Sequence, residues 1–133
     1  MTDTVVGTEI PPLTLPPISR YTLALFAGAS GDHNPIHIDS DFAKASGMPD
    51  VFAHGMLSMA YLARLLTGWK AQSSIRKFST RFATITQLQD VVTCSGTVVE
   101  IIEAQGETLA RCEIKINNQN GVSTLVGEAT VAL

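Results

Sequence analysis

Charge is scarce in this chain: 16% of its 133 residues are Asp, Glu, Lys or Arg, against 45% hydrophobic. So few charges leave little to cover a folded surface. We therefore expect part of the apolar surface to be covered by a partner subunit. The net charge of -3, with no run of Lys or Arg, argues against nucleic acid as a partner. No apolar run approaches the ~20 residues that a membrane-spanning helix needs. Met1-Thr2-Asp3-Thr4 has neither the basic nor the apolar region of a secretion leader, so a cytoplasmic location is expected by default. Cysteine is limited to Cys94 and Cys112, which form no CxxC and fall within strand-like runs. They are expected as small core side chains rather than as a disulfide.

There is also no internal repeat and no linker, and the length suits one domain over residues 1–133. Residues 5 to 18 contain Pro11-Pro12 and Pro16-Pro17, which exclude helix and leave at most short edge pairing. Ser19 is a candidate cap for a helix through Tyr21, Leu23 and Phe26, with Gly28 as its stop. Asp39 is a second cap, for a short helix with Phe42 on its inner face and Gly47 at its end. Residues 55 to 67 are the most apolar helix candidate, with Arg64 as the one charge and Gly68 as the stop. Such a helix is expected to be buried all round.

After residue 74 the period changes. Ala110, Cys112, Ile114 and Ile116 alternate with Arg111, Glu113 and Lys115, the pattern of a strand with one buried face. Residues 75 to 84, 91 to 102 and 122 to 132 read as further strands. Gln105-Gly106 and Asn118-Gln119-Asn120-Gly121 supply turns. Helices first and strands later predict an α+β fold: an antiparallel sheet of about five strands curled around one long helix.

The chemistry concentrates in Ser30-Gly31-Asp32-His33-Asn34-Pro35-Ile36-His37, where an imidazole follows a carboxylate by five positions. Asp32 alone would be read as a turn former and His37 alone as a packed residue. Pro35 fixes its own φ and pushes Asn34 towards an extended conformation, which can aim both side chains at one point. A carboxylate is normally a base at neutral pH, and an imidazole can give or take a proton. In Ala53-His54-Gly55-Met56-Leu57, Gly55 opens the long helix, and its unpaired N–H can face a developing oxyanion. His54 is expected to support the structure or cap the helix. Ser58 can touch a ligand or bond back to a carbonyl. His33 is expected to face solvent, and Asp39 and Asp41 to cap and to lie at the surface. The spacing of His37 and Asp39 gives no clear metal-ligand pattern, so no metal is expected.

These two motifs together resemble the MaoC-like, or (R)-specific, enoyl-CoA hydratase family of hot-dog folds, and the resemblance extends over most of the chain. It implies (R)-specific hydration of trans-2-enoyl thioesters to 3-hydroxyacyl thioesters, or the reverse dehydration. By position, Asp32 would act as base and His37 would orient the water and help return a proton. Gly55 N–H would bind the thioester oxygen, and Asn34 would order the loop. Asn34, His54 and Ser58 are carried as substrate-contacting candidates. No metal or redox cofactor is implied, only coenzyme A or acyl carrier protein as the thioester carrier. Arg64, Lys70, Arg76, Lys77 and Arg81 are candidates for meeting its phosphates. The expected assembly is a homodimer with the two sheets joined edge to edge. Two alternatives stand beside this: an acyl thioesterase on the same fold, and one subunit of a heteromeric hydratase active only with its partner.

Overall fold

A computed structural model describes residues 3–133; Met1 and Thr2, part of the segment behind the leader expectation, lie outside it. The alternating stretches form β2 (Ile75–Phe82), β3 (Thr93–Ala104), β4 (Glu107–Asn117) and β5 (Ser123–Ala132). The proline-rich start contributes β1 (Glu9–Thr14), which pairs with β3 and bulges between Ile10 and Leu13, where the prolines lack donors. The sheet order is β1-β3-β4-β5-β2, antiparallel throughout. Gln105 and Gly106 join β3 to β4 with φ of 51° and 79°, the left-handed pair that matches strand twist. Asn118 closes the next turn, its Oδ1 accepting the N–H groups of Asn120 and Val122.

The long apolar segment forms α3 (Gly55–Thr67). Leu62, Leu65 and Leu66 of α3 pack into a cluster with Cys94, Val98, Cys112, Ile114, Ile116 and Leu125 of the sheet. Each such leucine contributes about 1.5–3 kcal/mol by leaving water. Both thiols are free and buried, and burial pushes Cys94 up to about 12 and Cys112 up to about 11. They are inert core side chains, as expected. Gly127 lets β2 close on β5: a Cβ there would sit 2.2 Å from the Ser79 carbonyl oxygen.

Three local expectations are corrected. First, α1 (Arg20–Ser30) starts at the Ser19 cap but runs through Gly28 and ends at Gly31, whose φ is 78°. A glycine inside a helix costs only about 1 kcal/mol, whereas the left-handed exit favours one strongly. Second, α2 (Ser40–Ala45) is capped by Asp39, but Phe42 is 44% exposed and Ala43 takes the inner position. Third, α3 is not buried all round. The sheet covers one side only, so Leu57, Ser58, Leu62, Leu65 and Leu66 are enclosed while Met56 and Ala60 face out.

A second cluster of Ile18, Leu23, Ala43, Val51, Ala53 and Leu57 lies under α1 and α2. Asp50 reinforces it by accepting from both Arg20 and Ser40, which ties the starts of α1 and α2 to the segment before α3. The Arg20 guanidinium holds the Asp50 carboxyl well below the usual carboxylate range. These contacts fix the two loops that carry the site. Among the described residues, no helix is long and apolar enough to cross a membrane.

Candidate active site

Asp32 follows the left-handed Gly31, and its Oδ1 accepts the Asn34 N–H at 3.2 Å. Asn34 in turn accepts the Ile36 N–H at 3.1 Å and caps a single 3-10 turn, Pro35–His37. Asn34 thus orders the loop through its own hydrogen bonds. That turn swings His37 inward, leaving it 9% exposed. Its Nδ1 lies 2.8 Å from the Phe52 carbonyl oxygen. A carbonyl only accepts, so Nδ1 carries the hydrogen and Nε2 keeps a lone pair.

His54 lies behind this pair. Its ring stacks on His37 and meets Phe26 edge-on at 4.9 Å. Its Nε2 lies 3.2 Å from the Asp32 carbonyl oxygen and donates to it. Nδ1 is enclosed without a hydrogen-bond partner. Burial, and then the neighbouring His37, hold its pKa below the ordinary value, so the ring is neutral. The structural-support expectation matches this placement; the capping alternative does not, because the His54 side chain caps no N–H of α3. With only 1% of its surface exposed, His54 lies enclosed against Asp32 and His37.

A carboxylate oxygen of Asp32 and ring nitrogens of His37 and His54 lie within 4.8 Å of one another. One carboxylate with two imidazoles is a donor set that divalent cations favour. Here the His54 Nε2 hydrogen is spent on a carbonyl, so the lone pair of that ring lies on its enclosed Nδ1. Asp32 and His37 offer a carboxylate oxygen and a ring nitrogen within 4.8 Å of each other. Such a pair suits a water molecule, which has two hydrogens to donate.

Gly55 is the first residue of α3, and no side chain caps that end; of the first turn, Leu57 N–H donates to the His54 carbonyl oxygen. Gly55 and Ser58 line a cavity of about 270 Å³ whose other walls include Phe52 and Phe82. Ser58 does not bond back to a carbonyl; its Oγ lies 3.5 Å from the Thr86 Oγ1. His33, Asp39 and Asp41 are exposed, as expected. Of the phosphate candidates, Arg76 pairs with Glu107, Lys70 lies over the Trp69 ring and Arg64 over Tyr61. A larger concavity of about 670 Å³, lined by Arg81, Glu113, Lys115 and Glu128 among others, includes none of the proposed site residues.

Phe52 is the residue that sequence reasoning missed. Its carbonyl orients His37, its ring meets the His37 ring edge-on at 5.1 Å, and it walls the cavity. Position two before His54 was the available signal. Phe82 and Thr86 carried none: Phe82 reaches the cavity through the pairing of β2 with β5, and Thr86 through the bond its carbonyl oxygen accepts from the Ala53 N–H.

Comparison with known proteins shows what the sequence and fold are similar to. The chain is 29% identical over 126 residues to fatty acid synthase subunit beta of Saccharomyces cerevisiae, covering 90% of this chain but 6% of that subunit. It is 31% identical over 116 residues to the (R)-specific enoyl-CoA hydratase of Rhodospirillum rubrum, covering 86% of this chain and 78% of that enzyme. The R-hydratase PhaJ1 from Pseudomonas aeruginosa superposes with a TM-score of 0.87 at 28% identity, over 96% of this chain and 81% of that one. A chain of the ChsH1-ChsH2 complex from Mycobacterium tuberculosis superposes with a TM-score of 0.85 at 25% identity, over 98% and 99%. The expected fold class is thereby met: an α+β hot-dog domain. The MaoC like domain matches residues 4–119, and the chain belongs to the MaoC-like dehydratase family.

Proposed function

We propose that this chain catalyses the (R)-specific hydration of trans-2-enoyl thioesters to 3-hydroxyacyl thioesters, and the reverse dehydration. The observation that carries this is the approach of the Asp32 carboxylate to a ring nitrogen of His37, within 4.8 Å, beside the start of α3, which no side chain caps. Both accept a hydrogen from one water, whose oxygen then adds to the β-carbon. One O–H bond breaks, and its proton goes to the Asp32–His37 pair. The alkene electrons move to the α-carbon and thioester oxygen, where the Gly55 N–H stabilises the enolate. The pair returns a proton to the α-carbon. Only protons and charge move, so the proposal includes no metal and no redox cofactor. The carrier is coenzyme A or acyl carrier protein, both of which present phosphopantetheine.

The proposed assembly is a homodimer joined through the edge strand β2, whose outer side has no strand beside it in the sheet. A heteromeric pair is the second reading, favoured by the likeness to a ChsH1-ChsH2 chain. The two free thiols fit a reducing, cytoplasmic location.

Incubation of the purified chain with crotonyl-CoA tests the reaction. Loss of enoyl absorbance with formation of the (R)-3-hydroxy product supports hydration. Release of free thiol instead makes the chain a thioesterase. Activity appearing only on addition of a second subunit selects the heteromeric reading.

A further inference from the structure

The cavity beside Gly55 is built unevenly. Its rim is open: Phe82 is 55% exposed and Ile85 42%, with the exposed Thr84 between them. Its floor is buried and hydroxylic: Ser58 is 7% exposed, Thr86 4% and Thr124 2%. A slot that takes a plain alkyl chain is expected to be apolar where it is buried, whereas three of the four buried residues lining this one carry hydroxyls, Ala53 being the fourth.

The floor hydroxyls are poorly satisfied. Ser58 Oγ and Thr86 Oγ1 share one contact at 3.5 Å, and Thr124 Oγ1 reaches the Ile116 carbonyl oxygen at 3.4 Å. Both contacts lie at the outer limit of a hydrogen bond, so buried hydroxyls keep unused donor and acceptor capacity. A methyl group placed on that floor would strip their remaining hydration and return nothing. No charged side chain lines the cavity, so a carboxylate there would be buried without a partner. What the floor matches is a neutral oxygen that both donates and accepts, or accepts only.

Deepening the proposed function, and resting on it, we infer that this slot receives the acyl tail of the substrate and that the tail ends in a neutral oxygen, a hydroxyl or a carbonyl. The carrier arm has to leave the protein, so the buried end of the slot belongs to the end of the acyl group. At about 270 Å³ the slot holds a short tail only. The substrate class is a short enoyl thioester oxygenated at its far end.

The test compares two coenzyme A thioesters of equal length, one ending in a methyl and its isostere ending in a hydroxyl. Because the carrier is identical, its contacts cancel. kcat/KM is measured for the enoyl pair, and Kd by calorimetry for the saturated pair, which binds without reacting. We expect the hydroxyl compound to be favoured about tenfold in both, as one or two net hydrogen bonds allow. Thr86→Val and Thr124→Val keep the volume and remove the hydroxyl, so each is expected to reduce that preference. Equal or better use of the methyl compound, or an undiminished preference in both variants, overturns the inference while hydration stands. A tenfold binding preference without turnover of either enoyl compound supports the slot assignment and overturns the hydratase reading.

Discussion

The imidazole of His54 lies flat against that of His37, with ring centroids 4.0 Å apart and planes 26° from parallel. Two imidazoles this close cannot both be protonated at low cost. The enclosed one, His54, is held neutral by burial and by its neighbour. This gives a stability signature with a definite sign. In the unfolded chain a histidine titrates near ~6.5, and in the folded chain His54 titrates lower. Below about pH 6.5 the unfolded state therefore binds the extra proton, so the contribution is complete above that value and is lost as pH falls through the folded pKa. Urea unfolding between about pH 8 and pH 5 should show the midpoint falling on the acid side. His54→Phe should flatten that fall, and an unchanged slope would clear His54 of the effect.

Asp32→Asn removes the anionic acceptor but keeps the side-chain shape and an oxygen for the Asn34 N–H. His37→Ala removes the other acceptor and leaves the Phe52 carbonyl unpaired. Each is expected to lower turnover of an enoyl thioester by at least ~100-fold, the usual scale of acid–base catalysis. Circular dichroism should show the fold retained. Either variant with wild-type turnover loses its place in the mechanism.

Gly55→Ala probes the oxyanion contact. The new Cβ would stand 2.9 Å from the Phe82 ring, and that ring is more than half exposed and free to swing aside. Stability is therefore expected to change by less than about 1 kcal/mol. Turnover is expected to fall further, because methyl and ring now crowd the N–H. A double variant with Phe82→Ala separates the two causes: recovery of turnover assigns the loss to crowding alone.

Gly127→Ala is the stability counterpart. Its Cβ would meet backbone rather than a mobile side chain, with Ser79 carbonyl oxygen at 2.2 Å and Thr80 Cα at 3.1 Å. Strand β2 has to shift on β5 to admit it, at about 1–3 kcal/mol or more. Chemical denaturation is expected to show that loss. Because Phe82 ends β2, the cavity rim should loosen as well. A midpoint equal to wild type would mean that the strands already stand further apart.

Much of this was legible in the chain itself. The period change near residue 74, the Ser19 and Asp39 caps and the boundaries of α3 are local signals, and each matches an observed element. The meeting of Asp32 and His37 was legible because Asn34 and Pro35 restrict the backbone between them. What could not be read depends on contacts distant in sequence. Phe42 and Met56 face out because Ala43 of α2, and Leu57, Leu62, Leu65 and Leu66 of α3, take the places in the two buried clusters. Thr86 and Thr124 join Ser58 only once β5 has carried Thr124 beneath the segment that follows β2.

The two margins of the sheet are unequal. Along β1, Pro11 and Pro12 offer no hydrogen to a newcomer, and a bulge bends the strand between them and the flanking register. Along β2 there is no proline at all. A ribbon that can be extended from one side only terminates after a single addition. In the proposed homodimer, pairing through these sheets would therefore end in a closed pair and not in a fibre.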